Sequence, residues 1–373
     1  MRGRYRWHAE RVVQRGRCAG IAQLLSWEVM DETIEFGPQD RQGPKEPYGH
    51  TPARVPGSVR RTTTLDGLHP DGPGHPSHLL LRARDLRTEL DGTAVELGQV
   101  EVRLVVDAAT GVLSVEADPP DPRLDRLLGA NPFLGWRRAL DELLPDERDA
   151  GTLLYLVLDA VSAWFGLSSF GLAAAPRPEG VPAFAPRPGR SMDLSTRVDL
   201  CAGWQAGGTL LQLMGSGQSG AEFLRPRAPD LQPDDDPLAW HAIDPLPPFA
   251  ARRRRRIDLI DGEPLRVDAM FRDTAVDADG VESVLHEYTV TADVDPATMQ
   301  IVDAEAIPRS LPYQECPQAA VSAQQLVSRD VRSLRRAVGR EMRGVTTCTH
   351  LNELYRTFAD IAALAGQLPV RER

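Results

Sequence analysis

Cys348 and His350 stand two residues apart in "TTCTHLNELYRTF", where Leu351, Leu354, Phe358, Ile361 and Ala365 begin an apolar stripe at helical spacing. A second cysteine, Cys316, precedes Pro317 in "LPYQECPQAAVSAQQL". Proline suits the first position inside a helix, where its missing N–H would have had no partner, so Cys316 is expected at the N-cap. Unpaired N–H groups and the positive end of the helix dipole favour thiolate over thiol, so both cysteines are expected to have lowered pKa values. Two chemistries fit, beside a third reading, an interaction scaffold with no chemistry in which the cysteines only pack. Cys316, Cys348 and His350 have the donor types that hold zinc or an iron–sulfur unit. Alternatively, Cys348 or Cys316 attacks an acyl or thioester carbon while His350 manages the proton. A fourth ligand is needed for the first chemistry. His286 in "LHEYTV" ranks first, with Glu287, Asp268, Asp273 and Cys201 behind it.

The elements that must position these residues can be read from their patterning. "HLLLRARDLRTELDG" and "VEVRLVVDAATGVLSVEA" alternate around Asp91-Gly92 and Thr110-Gly111, which predicts antiparallel hairpins. "DPRLDRLLG", "GWRRALDELLP" and "GTLLYLVLDAVSAWFG" follow with helical spacing. After Ala250 the order repeats: "RRRRRIDLIDG", "DAMFRDTAVDADG" and "YTVTADVDPATMQIVDAEA" stand where "VRRTTTLDGL" and the two earlier hairpin segments stood. Asp85 and Asp273, Gly92 and Gly280, and Asp107 and Asp295 are each 188 positions apart. The expectation is an α+β protein of two related modules, each with antiparallel strands followed by helices, read as a tandem duplication. Residues 1–58 read as a poorly ordered leader, in which Met30 is a second candidate start. Residues 59–172 form the N-terminal module, which lacks the Cys/His site. Residues 173–250 form a Pro-rich linker in which "STRVDLCAGWQAGGTLLQLMG" fits a β-hairpin, and residues 251–368 form the module bearing the site.

Composition bounds the function classes. The chain has 373 residues, 42% hydrophobic and 26% charged, with a formal net charge of −10, which argues against nonspecific binding to nucleic acid or anionic membranes. No stretch approaches the roughly 20 apolar residues of a membrane span. Four scattered cysteines are too few for a disulfide scaffold, so reduced thiols and a cytoplasmic location are expected. P-loop, GxGxxG, HExxH and GxSxG patterns are absent, which leaves a small-molecule ligand as the open partner class. The arginine run "ARRRRRIDL" is expected to be a solvated strand entrance paired with nearby aspartates.

Across residues 250–365, "RRRRRID", "DAMFRD", "HEYTV", "LPYQECP" and above all "CTHLNEL" occur in an order that resembles a bacterial family catalogued only as a domain of unknown function. "RRTTTLD" and "LCAGW" in the preceding segment are similar to its longer actinobacterial form. The resemblance implies an accessory role beside aromatic or steroid catabolism. It nominates Cys316, Cys348, His350 and His286 as motif positions, without assigning them a role.

Overall fold

A computed structural model describes residues 42–164, 166–167, 172, 175, 194–216 and 225–370. Its centre is an eight-stranded sheet in the order β4-β3-β2-β1-β5-β6-β7-β8. The strands are β1 (Ser58–Leu68), β2 (Ser77–Thr88), β3 (Ala94–Asp107), β4 (Gly111–Asp118), β5 (Ala251–Ile260), β6 (Leu265–Val276), β7 (Glu282–Val294) and β8 (Ile301–Ser310). Each half is a four-stranded antiparallel meander followed by helices. The halves share one continuous sheet, because β1 and β5 pair antiparallel from Ser58↔Ile260 to Gly67↔Ala251.

The local reasons for the two meanders are the same. Gly92 and Gly280 turn the β2–β3 and β6–β7 hairpins at φ +87° and +80°, a backbone region open to glycine. Asp107 accepts hydrogen bonds from the backbone N–H groups of Ala109 and Thr110, and Asp295 from those of Ala297 and Thr298, which closes the next hairpin in each half. Arg61 lies opposite Asp85 and Arg253 opposite Asp273, with a register shift directly after each aspartate.

The first half's helices are α1 (Trp136–Leu143), α2 (Pro145–Ala150) and α3 (Leu153–Asp159). Trp136, Leu140, Tyr155 and Leu158 from these helices pack on Leu81, Ala83 and Val102. Between the halves lies α4 (Thr209–Gly215). The second half continues as a 3₁₀ helix (Cys316–Leu326), then α5 (Leu334–Glu341), α6 (Thr349–Thr357) and α7 (Ile361–Ala365). Leu351, Leu354 and Tyr355 anchor α6 on Ile257, Val267 and Phe271. Burying each such side chain contributes about 1.5–3 kcal/mol, which fixes where the first turn of α6 sits. None of the helices among the described residues is long and apolar enough to cross a membrane.

Four expectations need correction. The segment "STRVDLCAGWQAGGTLLQLMG" is not a hairpin. Ala202–Trp204 is a 3₁₀ turn and Thr209–Gly215 a helix, because the Glu315 carboxylate accepts from the Thr209 backbone N–H at 2.8 Å and so caps a helix start. Of the expected leader, residues 1–41 lie outside the described residues, while residues 42–57 are seated on the domain. Lys45 bridges to Ser310, the Glu46 N–H donates to Arg309 O at 2.9 Å, and a Cβ on Gly43 would come within 2.6 Å of Tyr313 O. Residues 225–250 cover the second face of the sheet rather than only linking the halves: Leu231, Ala239 and Trp240 pack on Met270 there.

The arginine run of β5 is buried rather than solvated. Its side chains alternate between faces, as strand geometry requires. Arg252 pairs with Asp66 (2.6 Å) and Arg256 with Asp258 and Asp268 on one face, while Arg253 pairs with Asp273 (2.8 Å) on the helix face. In the first half, the buried Arg61 holds Asp85 at 2.6 Å and donates to Gly151 O at 2.8 Å. Breaking a buried pair leaves a charge without compensation, so Asp85→Ala is expected to lower the unfolding free energy by about 3–5 kcal/mol in urea denaturation. A loss under about 1 kcal/mol would mean that Arg61 does not need this partner.

Candidate metal and thiol site

Asp273 on β6 and His286 on β7 are direct cross-strand partners. The first turn of α6 lies over them. His350 stacks on His286 with ring centroids 3.7 Å apart and an interplanar angle of 16°, and its Nε2 is 3.8 Å from Asp273 Oδ2. Arg253 donates to both oxygens of Asp273 at 2.8 Å, which fixes the carboxylate while leaving each oxygen a further lone pair. The Arg253 guanidinium also lies 4.7 Å over the Phe271 ring, and that ring meets His350 edge-on.

Cys348 is the N-cap of α6. Its Sγ is 3.8 Å from His350 Nδ1 and makes no capping hydrogen bond to the first turn, while the Tyr288 hydroxyl and the backbone N–H groups of His350 and Leu351 lie close enough to favour its thiolate. One imidazole therefore faces a thiol through Nδ1 and a carboxylate through Nε2. Cys316 is one residue later in its helix than expected: Glu315 is the N-cap, and Cys316 opens the 3₁₀ segment with Pro317 behind it. It is buried beside Gly203, where an added Cβ would come within 3.1 Å of its Sγ.

The expected lowering of thiol pKa values does not occur. Burial pushes the Cys348 thiol up to about 11, with the neighbouring Cys201 thiol adding to the effect and the N–H groups opposing it. Burial and the proximity of Cys348 raise Cys316 further, and burial also raises Cys201. Removing the charged form from water outweighs the helix start. Burial likewise lowers His350 to about 4 against the pull of Asp273. It lowers His286 well below the ordinary histidine value, with His350 and Arg253 adding to the shift. Both imidazoles are neutral at pH 7.

Among the described residues, one group of three metal-ligating side chains converges. The donor atoms of Asp273, His286 and His350 all lie within 4.8 Å of one another. Of the residues read from sequence, His286 and His350 are in this group; Cys348 adjoins it through His350, and Cys316 is outside it. Asp273 stood only among the candidates for a missing ligand, and Arg253 and Tyr288 were not singled out. The detectable signal for Asp273 was its register with His286 across a hairpin whose turn, Gly280, is visible in the sequence. Glu287 instead pairs with Arg272 at 2.6 Å, and Asp268 with Arg256.

The first half supplies an internal comparison. Gly98 lies opposite Asp85 where His286 lies opposite Asp273, and Thr152 holds the N-cap position of α3 as Cys348 holds that of α6, though only the Thr152 side chain accepts a capping hydrogen bond. Two residues after each cap stand Leu154 and His350. The equivalent scaffold thus folds with glycine, threonine and leucine, so neither the imidazoles nor the thiol is required to build it.

Beneath the helices, the ion pairs join the halves. Asp159 from α3 receives Arg356 from α6 on both oxygens at 2.8 Å, Arg137 from α1 at 3.1 Å and Arg335 from α5 at 3.8 Å. Arg137 also reaches Glu353, and Arg335 reaches Asp360, which Arg61 approaches at 3.2 Å. Buried Arg255 has no carboxylate partner within 4 Å among the described residues. Its hydrogen-bond partner is Thr63 Oγ1 at 3.3 Å, and burial lowers its pKa to about 10.

Residues 251–364 match the model of a family described as "Protein of unknown function (DUF2889)". The matched segment runs from the first residue of β5 into α7 and includes Arg253, Asp273, His286, Cys316, Cys348 and His350. No curated protein and no solved structure matches the chain.

Proposed function

We propose, from the premise that residues 251–364 form a domain of this family, that the second half binds a divalent transition-metal ion through Asp273, His286 and His350, with Cys348 outside the ligand set on the Nδ1 side of His350. The observation that carries this reading is the convergence of three donors from β6, β7 and α6 within 4.8 Å. Two neutral imidazoles and one carboxylate form a donor set suited to zinc or iron(II). The chain is then a metal-binding accessory protein, in keeping with the catabolic association that the resemblance implies. The stacked rings of His286 and His350 would have to turn relative to one another for a nitrogen of each to point at one ion. The matching register, turns and caps of the two halves support descent from one four-stranded unit by tandem duplication, with the chemistry kept in the second copy.

Titration of chelator-treated protein with Zn²⁺ by calorimetry tests the ligand set. Wild type and Cys316→Ser are expected to bind about one equivalent with similar affinity, and Asp273→Asn to bind weakly. Equal binding by Asp273→Asn and wild type would remove the proposed set.

A second reading is favoured by the line from Cys348 through His350 to Asp273. In a thiol-dependent acyl transfer, the sulfur–carbon bond forms as the Cys348 proton passes to His350 Nδ1. The imidazolium returns that proton to the leaving group as its bond to carbon breaks. Incubation with an acyl thioester would then leave an acyl adduct on Cys348 by mass spectrometry, and no adduct would remove this reading. Because burial pushes the Cys348 pKa to about 11, its alkylation by iodoacetamide is expected to rise about tenfold per pH unit from pH 7 towards 10. A plateau below about pH 8, near the value for a free cysteine, would contradict that environment.

A further inference from the structure

A cleft of about 730 Å³ lies where the α2–α3 connection of the first half meets α5 and α7 of the second, away from the Cys/His residues. One wall is made of small apolar residues, including Ala150, Ala337, Ala359, Ala362 and Ala363. The lining is also cationic. Arg336 and Arg340 are one helical turn apart on α5, both exposed, and neither has a hydrogen bond or a carboxylate within 4 Å among the described residues. The two acids at the cleft are already engaged, Asp149 by Arg148 at 2.8 Å and Glu341 by Arg329 at 2.6 Å.

Arg335 also lines the cleft, but it is 6% exposed and engaged from within the fold, by Asp360 through one guanidinium nitrogen and by Asp159 at 3.8 Å through the other, so the donors left for a ligand are those of Arg336 and Arg340. An arginine fork with spare donors matches phosphate or carboxylate oxygens.

We propose that this cleft binds a small organic anion. A phosphate or carboxylate group sits between Arg336 and Arg340, and an apolar body lies along the alanines. The volume exceeds that of a bare inorganic anion, and the alanine wall gives no polar partner to the rest of the ligand. The site is separate from the metal reading and does not depend on it.

Octyl phosphate and octanoate, with inorganic phosphate as a control, would be titrated below their micellar range into full-length protein by calorimetry. Arg336→Glu/Arg340→Glu is the test variant, since both side chains are exposed and the fold does not rest on them; an unchanged melting temperature confirms this. Saturable binding of at least one octyl probe is expected, weaker for inorganic phosphate, weakened further by salt, and reduced roughly tenfold or more in the double variant. Which octyl probe binds more tightly identifies the head group. Absence of saturable binding by both octyl probes, or unchanged affinity in the double variant, would overturn the proposal.

Discussion

Asp159→Ala is expected to cost at least about 3–5 kcal/mol of unfolding free energy, enough to bring a domain of ordinary stability close to unfolding. Asp159 is 2% exposed and serves guanidinium groups from both halves: Arg137, Arg335 and Arg356. Its removal leaves two buried cations, Arg335 and Arg356, and the half-buried Arg137 facing one another. The pH dependence gives a second check. The arginines hold the folded-state pKa of Asp159 far below the ordinary carboxylate range, although burial opposes them. A depressed folded pKa stabilises the fold fully above the unfolded value, near about 3.9, and that contribution is withdrawn as pH falls through the folded value. Wild type and variant should therefore differ most from neutral pH down to about pH 5 and converge in stronger acid. Urea denaturation across that range measures the difference. A gap under about 1 kcal/mol at pH 7 would mean that the arginines find other partners.

His286→Ala is expected to weaken divalent-metal binding by at least about 100-fold, more than the loss of a typical supporting residue around a metal. The binding should also have an unusual pH profile. An ordinary histidine site loses its metal as pH falls through about 6.5, because protons compete for the nitrogen. Here burial holds His350 at about 4 and His286 well below its usual value, so affinity should stay nearly flat between pH 8 and about 5 and fall only towards pH 4. Competition titration with a chromophoric chelator reads both effects. A midpoint near about 6.5 would show that the imidazoles are more hydrated than their burial indicates.

Much of the scaffold was legible because local chemistry dictates it. Asp91-Gly92, Thr110-Gly111 and their counterparts 188 residues on mark hairpins, and the spacing of Leu351, Leu354 and Phe358 places Cys348 and His350 at the mouth of α6. The same register that relates Asp85 to Asp273 relates Gly98 to His286, so the confinement of the site to one half was within reach of the sequence. The β1–β5 pairing was not. It joins strands nearly 200 residues apart, and no turn signal announces it. Thiol burial was also hidden, because it depends on the connection between the halves. The Ala202 N–H donates to Thr347 O at 2.9 Å and holds that segment against the start of α6, which excludes the water a thiolate would need. Helix-start reasoning treats a terminus as solvated, and this one is roofed.

The most direct test is elemental analysis of full-length protein purified without chelator, beside the Asp273→Asn/His286→Ala double variant and Cys316→Ser. About one zinc or iron per chain is predicted in wild type and Cys316→Ser, with little in the double variant. A double variant that retains the full metal content, or wild-type protein that neither carries metal nor takes up Zn²⁺ or Fe²⁺, would contradict the assignment of Asp273, His286 and His350 as a metal site.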